Sequence, residues 1–210
     1  MNRVLLLLWL LSSICTIGAA QENKIESLKQ QEHIESHIEL LFFCRPSVEL
    51  TLSPTDFQSD GIIETTTGEL FKVPTAFQAK NNEIQVLINQ KVYTLYPEKI
   101  QYALIGQRLF MTKEIIEEDN QHMTYFQLLS DGDLQLLMLY KADKPNQGIL
   151  YVQEKKGSLQ KIKPTKKNLY KLFGSFRPQI EDYVSQNRLD LRKVSDISKL
   201  FNYFHQLQQS

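Results

Sequence analysis

Between residues 48 and 162 the sequence consists of short apolar segments separated by residues that favour turns, and this pattern limits the possible folds more than any other feature. The turn residues are Thr67-Gly68, Asn81-Asn82, Gly106-Gln107, Asp131-Gly132, Pro145-Asn146 and Lys156-Gly157. Connections this short join antiparallel neighbours. The sequence therefore predicts a meandering antiparallel sheet, twisted or partly closed. Its predicted strands are residues 48–52, 62–66, 69–79, 83–88, 92–96, 100–105, 108–113, 123–130, 134–140, 149–153 and 159–162.

Two of these segments have unusual patterns. Residues 134–140 are apolar at nearly every position, so a strand here must be covered on both faces and lie in the interior of the sheet. Pro74, within the predicted strand 69–79, has no backbone N–H to donate to a neighbouring strand. It therefore predicts a sheet edge or a bulge at that point.

In residues 164–210 the apolar side chains recur at helical spacing. Thr165 can cap a first short helix that ends at Gly174, and a second helix is predicted at residues 177–186. A third helix is predicted with Ser195 as its N-cap. One side of this third helix is apolar: Ile197, Leu200, Phe201, Phe204 and Leu207. We therefore predict an α+β fold that is mainly β, with a C-terminal layer of two to three helices.

The first twenty residues have the three parts of a secretory signal peptide. Arg3 precedes an apolar run over residues 4–17, and the small residues Gly18-Ala19-Ala20 follow it. The run is shorter than the roughly 20 residues that a membrane-spanning helix needs. We therefore predict cleavage near Ala20 and a secreted or periplasmic protein without a transmembrane segment after cleavage. Acylation of Cys15 is the alternative, and it is disfavoured because Ile14 stands where the lipoprotein peptidase prefers a small residue.

Removal of residues 1–20 leaves Cys44 as the only thiol, so an intramolecular disulfide is excluded in the processed chain. The processed chain therefore has no cystines, and its sequence also has no Asn-x-Ser/Thr glycosylation site. Both absences favour a bacterial envelope protein. We expect residues 21–47 to form a partly helical N-terminal segment, with a helix at 24–32. Residues 48–210 are predicted to form a single β-rich domain closed by its C-terminal helices.

Charge is distributed unevenly along the chain. Residues 21–140 have a net charge of −9, whereas residues 141–210 have a net charge of +8. Many of the basic residues lie in one short stretch: Lys155, Lys156, Lys161, Lys163, Lys166, Lys167 and Lys171. This stretch either packs on the acidic part of the protein or meets an anionic partner such as lipid headgroups or a polyanion. No nucleic-acid-binding motif is present, and an exported protein is not expected to bind nucleic acid.

Three stretches of residues 60–205 carry a resemblance to other proteins. They are Gly61-Ile62-Ile63-Glu64-Thr65 with Gly68-Glu69-Leu70-Phe71-Lys72-Val73, then Leu95-Tyr96-Pro97-Glu98-Lys99-Ile100 with Ile105-Gly106-Gln107-Arg108-Leu109-Phe110, and finally Lys166-Lys167-Asn168-Leu169, Ile180-Glu181-Asp182-Tyr183-Val184 and Asn202-Tyr203-Phe204. In this order of strands and helices the chain resembles a group of uncharacterised exported proteins of the Bacteroidota. The resemblance implies an envelope setting and a β-rich body closed by helices, and it implies no activity.

Metal binding has two candidate sites in the sequence. His33 and His37 are four residues apart, so a helix places both imidazoles on one face. Their order is not the zincin His-Glu-x-x-His pattern, and a solvated pair of histidines is the competing interpretation. Asp131-Gly132-Asp133, with residues 117–119 upstream, offers carboxylates for Ca²⁺ but lacks the ligand spacing of an EF-hand, so a hairpin turn is the competing interpretation.

Nucleophilic catalysis finds little support in the sequence. There is no Gly-x-Ser-x-Gly elbow, and Cys44 has Arg45 beside it but no identifiable base. We therefore predict no catalytic and no cofactor-binding residues. A ligand groove remains an alternative because aromatic side chains recur on the predicted strands: Tyr93, Tyr96, Tyr102, Tyr125 and Tyr151.

Export, uneven charge and the lack of a catalytic motif together favour one class of function. We expect a non-catalytic envelope protein that binds another envelope component, either a protein or an anionic surface, through its sheet or its basic C-terminal part. The first alternative is a carrier with a small-ligand cavity between sheet and helices. The second is a hydrolase that uses carboxylates or a metal held by His33 and His37.

Overall fold

A computed structural model of the protein describes residues 39–47, 57, 59–117, 120–141, 144–155 and 157–209. The chain divides into two compact units, which are described separately. Among the described residues, the N-terminal unit comprises those in the ranges 39–128 and 137–149, and the C-terminal unit comprises those in the ranges 129–136 and 150–209. The predicted strand 48–52 and the predicted helix 24–32 lie outside the described residues.

The chain forms one antiparallel sheet of eleven strands, and the predicted mainly β fold with C-terminal helices is confirmed. The sheet order is β1-β5-β4-β3-β2-β6-β7-β8-β9-β10-β11, so β1 and β11 are its edges and it is not closed. The strands are β1 Cys44–Pro46, β2 Asp60–Thr65, β3 Leu70–Gln78, β4 Glu83–Ile88, β5 Lys91–Leu95, β6 Ile100–Ile105, β7 Arg108–Glu117, β8 Asn120–Ser130, β9 Leu134–Lys141, β10 Lys144–Glu154 and β11 Gln160–Ile162.

The strand order departs from a simple meander in two places. Strands β2 to β5 follow one another in the sheet, but β6 returns to pair with β2, with Ile63 opposite Ala103. The position beyond β5 is occupied by β1, which places Cys44 opposite Leu95. The chain passes from β5 to β6 through a 3-10 helix, Pro97–Lys99.

Pro74 lies in an interior strand, so the predicted sheet edge is wrong at this position. Pro74 is opposite Asp60 of β2, and pairing with β4 begins one residue later, where Thr75 is opposite Val86. The N–H of Thr75 donates to the carbonyl of Ser59, on the β2 side. Because successive backbone groups point to opposite sides, the nitrogen of Pro74 faces the β4 side, where the ladder has not yet begun.

The turn predicted at Pro145-Asn146 is also wrong, because both residues lie within β10. Pro145 is the second residue of that strand, and a proline is tolerated at the start of a strand, where few ladder hydrogen bonds have formed. Strands β7 and β10 are both longer than predicted, whereas β4 and β6 have the predicted bounds.

The core of the N-terminal unit is formed by alternate residues of its strands. Ile84, Val86 and Ile88 of β4 are buried on one face, together with Phe71 and Phe110. Strand β9 is buried on both faces, as predicted from its apolar sequence, with Leu136, Leu137, Met138 and Leu139 all buried.

The C-terminal unit contains three helices: α1 Lys166–Leu172, α2 Arg177–Gln186 and α3 Val194–Gln209. The hydroxyl of Thr165 accepts a hydrogen bond from the backbone N–H of Asn168, so the predicted cap of α1 is confirmed. Gly174 follows α1 with φ +52°, a conformation in which glycine has no steric penalty. It lies directly after the C-cap residue Phe173, as predicted for the glycine that ends α1, and a 3-10 helix, Gly174–Phe176, begins there.

Helix α3 begins earlier than predicted, so Ser195 is its second residue and not its N-cap. The carbonyl of Lys193 already accepts a hydrogen bond from the N–H of Ile197, which makes residue 193 the cap position. The predicted apolar side of α3 is buried at Ile197, Leu200, Phe201 and Phe204, and it also includes His205. None of the helices among the described residues is long and apolar enough to cross a membrane.

Candidate functional site

Six of the seven predicted lysines belong to the described residues, and all six are exposed in the C-terminal unit. Lys156 lies outside the described residues. Lys155 follows β10, Lys161 belongs to β11, and the others lie just after β11 or in α1. We call this set the lysine surface: Lys155, Lys161, Lys163, Lys166, Lys167 and Lys171.

The local fold explains why these lysines face solvent. Helix α1 directs Leu169 and the following Phe173 inward, four residues apart and therefore on one face. Lys166, Lys167 and Lys171 occupy the rest of the helix surface. Lys161 lies on the edge strand β11, where a charged side chain also discourages unwanted pairing with other strands.

The lysine surface is not neutralised by carboxylates in the described part of the chain. Ion pairs there join Arg45 to Glu83, Arg177 to Glu181, Arg192 to Asp190 and Lys199 to Asp196. None of the six lysines belongs to such a pair. The first turn of α1 contains two lysines and no acidic residue, although the helix dipole favours acidic side chains there. The positive charge of this surface is therefore available to a partner.

A groove of about 530 Å³ lies in the same unit. Its walls come from four separate stretches of the chain: the turn before β9, the end of β10, the segment after α1 and the C-terminal part of α3. The apolar side chains that line it are Leu134, Leu172, Phe173, Phe176 and Phe204. It is thus lined by phenylalanines of the helical part, and none of the predicted tyrosines contributes.

The phenylalanines of the groove pack against one another. The ring centroid of Phe204 is 4.9 Å from that of Phe173 and 5.7 Å from that of Phe176. Phe173 also meets Phe201 edge to face, at 5.3 Å. Such tilted contacts fix the rings and give the groove a defined apolar floor.

The charged residues of the groove are Asp133, Glu154 and Lys155. The backbone N–H of Lys155 donates to the carbonyl of Asp133 at 2.9 Å, which holds the two stretches together. Both carboxylates are exposed, and within the described ranges neither forms an ion pair. Lys155 belongs to both the groove and the lysine surface.

A buried polar cluster that the sequence did not predict joins α3 to the β8–β9 hairpin. The hydroxyl of Ser130 donates to Asn202 Oδ1 at 2.6 Å and lies 3.3 Å from His205 Nδ1. His205 Nε2 is 2.9 Å from the carbonyl oxygen of Leu134 and donates to it. Burial lowers the pKa of His205, while the hydrogen bond to Leu134 opposes that change.

The contact between a serine and a histidine in this cluster invites comparison with a catalytic pair. Ser130 is 0% exposed, so no substrate can reach its hydroxyl. Asn202 contacts the serine rather than orienting the imidazole, unlike the third member of a catalytic triad. The cluster therefore acts as a structural connection.

The predicted metal candidates gain no support from the geometry. His33 and His37 lie outside the described residues. Among the described residues no group of three or more His, Cys, Asp or Glu side chains could hold a metal ion. The carboxylate of Asp131 accepts hydrogen bonds from the N–H of Gly132 and the side chain of Gln135, which fits the predicted hairpin turn.

Cys44 is buried, and its chemistry is that of a core residue. Its thiol donates to the carbonyl of Leu40 at 3.1 Å. Burial raises the pKa of Cys44 to about 12, and the charge of Lys99 opposes this only in part. The neighbouring Arg45 pairs with Glu83. The thiol is therefore protonated at neutral pH and is a poor nucleophile.

No protein-family model matches this chain, and no curated protein and no solved structure is significantly similar to it.

Proposed function

We propose that this protein is an exported cell-envelope protein without catalytic activity, and that it binds an anionic envelope component through the lysine surface. The observation that carries the proposal is that six exposed lysines, all within residues 155–171, form no ion pair with the residues that the structure describes. Charges left unpaired at a protein surface attract a partner of opposite charge.

The size of the expected attraction is sufficient for reversible binding. A lysine close to an anionic lipid surface contributes about 1 kcal/mol, and the contribution decays within a Debye length, about 8 Å at physiological salt. Several of the six lysines acting together would give a salt-sensitive affinity. The predicted N-terminal signal peptide and the sequence resemblance to exported Bacteroidota proteins support an envelope setting for this interaction.

Binding to vesicles that contain phosphatidylglycerol tests the proposal. We expect the protein to sediment with these vesicles at low salt and to be released as the salt concentration rises. A triple variant, Lys161→Ser/Lys166→Ser/Lys167→Ser, should lose about 3 kcal/mol of binding free energy if each lysine contributes fully.

The matched control is Lys80→Ser/Lys91→Ser/Lys141→Ser, which removes the same charge from three exposed lysines of the N-terminal unit. It should bind nearly as well as the unaltered protein. Equal losses in the two triple variants would mean that net charge, and not the lysine surface, determines binding. Salt-independent binding would also contradict the proposal.

A second candidate function is that of a small-ligand carrier, and the groove favours it. Its volume of about 530 Å³ falls within the range of about 300–1,000 Å³ that is typical of small-molecule sites. The variant Gln208→Trp places a large side chain on the wall of the groove at an exposed position. It should abolish the binding of small apolar ligands to the protein. Unchanged binding would place those ligands elsewhere and remove the support that the groove gives.

A further inference from the structure

The groove has an aromatic floor. Phe173, Phe176 and Phe204 line it and hold one another in tilted contacts. Phe173 is 1% exposed and Phe204 is 5% exposed, so the floor presents little open ring face to a cation. It presents an apolar surface on which the stem of a ligand can pack.

The rim of the groove adds negative charge. Asp133 and Glu154 are exposed, and their carboxylates form no ion pair within the described part of the chain. Lys155 lines the same groove, but it does not approach either carboxylate closely enough to form a pair. The two carboxylates against one ammonium leave the lining with an excess of negative charge.

The C-terminal end of α3 also adds partial negative charge to the groove. Phe204 and Gln208 bring the C-terminal part of this 16-residue helix to the groove. The last carbonyls of a helix carry partial negative charge, and α3 has no basic residue in its last turn to compensate it. The rim and the helix end thus favour the same sign of ligand charge.

We propose that the groove binds an amphipathic cation, with an apolar or aromatic stem packed on the phenylalanines and an ammonium group beside Asp133 and Glu154. This inference rests on the second candidate function and names its ligand class. It does not depend on the lysine surface, which takes the opposite charge. According to this proposal, the groove binds the cation more tightly than an anionic or uncharged ligand of the same shape.

Three probes with the same stem and different charges test the proposal: phenylbutylamine, phenylbutanol and phenylbutyrate. Each is titrated into the full processed chain at neutral pH, and binding is followed by calorimetry and by backbone NMR shifts. An exposed ion pair is worth up to about 1 kcal/mol, so the two carboxylates should favour the amine over the butyrate by about fivefold or more. The largest NMR shifts should fall on residues of the groove.

Two kinds of variant locate the effect. Asp133→Asn/Glu154→Gln should remove most of the preference for the amine over phenylbutanol while leaving the affinity for phenylbutanol unchanged. The control Asp182→Asn removes an exposed carboxylate of α2, which does not line the groove, and should leave the amine preference intact. Gln208→Trp should abolish the groove shifts for all three probes.

Several results would overturn the inference. Phenylbutyrate binding in the groove as tightly as the amine would do so, as would an amine preference that is undiminished by the loss of both carboxylates. The absence of binding by every probe would remove the carrier function together with its ligand class. The Asp133 and Glu154 substitutions remove negative charge, so they should not weaken vesicle binding through the lysine surface, and the two proposals fail separately.

Discussion

Gly132 packs closely against His205 in the C-terminal unit. A Cβ atom added there would lie 2.7 Å from three atoms of the His205 ring. The ring cannot easily move away, because it is buried and bonded to the carbonyl of Leu134. The β8–β9 turn and α3 therefore meet at a point where only glycine fits.

Gly132→Ala should lower the free energy of unfolding by about 2 kcal/mol, the usual cost of forcing an extra methyl group into a packed site. Urea unfolding followed by circular dichroism measures this change. Gly157→Ala is the milder control, since an added Cβ would have one close neighbour, the Cβ of Glu154 at 3.1 Å, and the next atoms lie at 3.6 Å. Equal effects of the two substitutions would contradict the close contact between Gly132 and His205.

His205 should make the stability of the protein depend on pH. Burial is the main cause that lowers its pKa below 6.5, while the hydrogen bond to Leu134 and the charges of Asp131 and Asp133 act in the opposite direction. The unfolded chain therefore takes up the proton at a higher pH than the folded protein. It follows that the free energy of unfolding is highest above pH 6.5 and falls as the pH drops towards the pKa of the folded state.

Urea unfolding at several pH values between about 7.5 and 5.5, above the range in which carboxylates titrate, measures this effect. The His205→Gln variant should be less stable overall but should show a flatter dependence on pH in that range. The exposed His122 is present in both proteins and serves as an internal control. A pH dependence that is identical in the two proteins would show that His205 is not its source.

At the scale of elements, α3 provides the largest single contribution to the core of the C-terminal unit. Phe201 is 0% exposed and meets Phe173 edge to face, and Ile197 and Leu200 are buried beside it on the same side of the helix. The apolar side of α3 could be predicted from the sequence because its residues recur at helical spacing.

Phe201→Ala should destabilise the protein by about 3–5 kcal/mol through lost burial and the cavity that remains. Gln208→Ala, at an exposed position of the same helix, should change the free energy of unfolding by less than about 0.5 kcal/mol. Chemical unfolding of both variants gives the comparison. A small effect at Phe201 would mean that α3 packs less closely than described.

The strands show which parts of an element can be predicted from a sequence. Strand β4 has the predicted bounds because Ile84, Val86 and Ile88 recur at every second position between Asn82 and Asn89, which both have positive φ. Strand β7 continues to Glu117 and pairs with β8 as far as Asn120, although the prediction ended it at residue 113. The additional residues, 114–117, include charged side chains, which are typical of a loop in a sequence. Only the pairing with β8 makes this segment a strand.

The candidate sites also differ in how far they could be predicted from the sequence. The lysine surface could be predicted because its members are close together in the sequence. The groove could not be predicted, since its lining comes from four stretches, between Asp133 and Gln208, that only the fold brings together. His205 likewise lies 75 residues from its partner Ser130, and a histidine on an apolar helix face carries no sign of that partner.

At the scale of the whole molecule, the C-terminal unit has two surfaces of opposite charge, and each has its own proposed role. Exposed lysines on β11 and α1 offer positive charge to an anionic surface, whereas the groove offers an apolar floor with a negative rim. Both proposals concern binding, in keeping with a buried Ser130 and a Cys44 whose pKa is raised to about 12.

Protection of individual lysines from acetylation tests the central proposal most directly. The protein without its predicted signal peptide is treated with an acetylating reagent, alone and bound to phosphatidylglycerol vesicles, and the modified sites are quantified by mass spectrometry. We predict that vesicles protect Lys155, Lys161, Lys163, Lys166, Lys167 and Lys171, while Lys80, Lys91 and Lys141 react as in the free protein. Uniform protection of all lysines, or stronger protection of the second group, would contradict binding through the lysine surface.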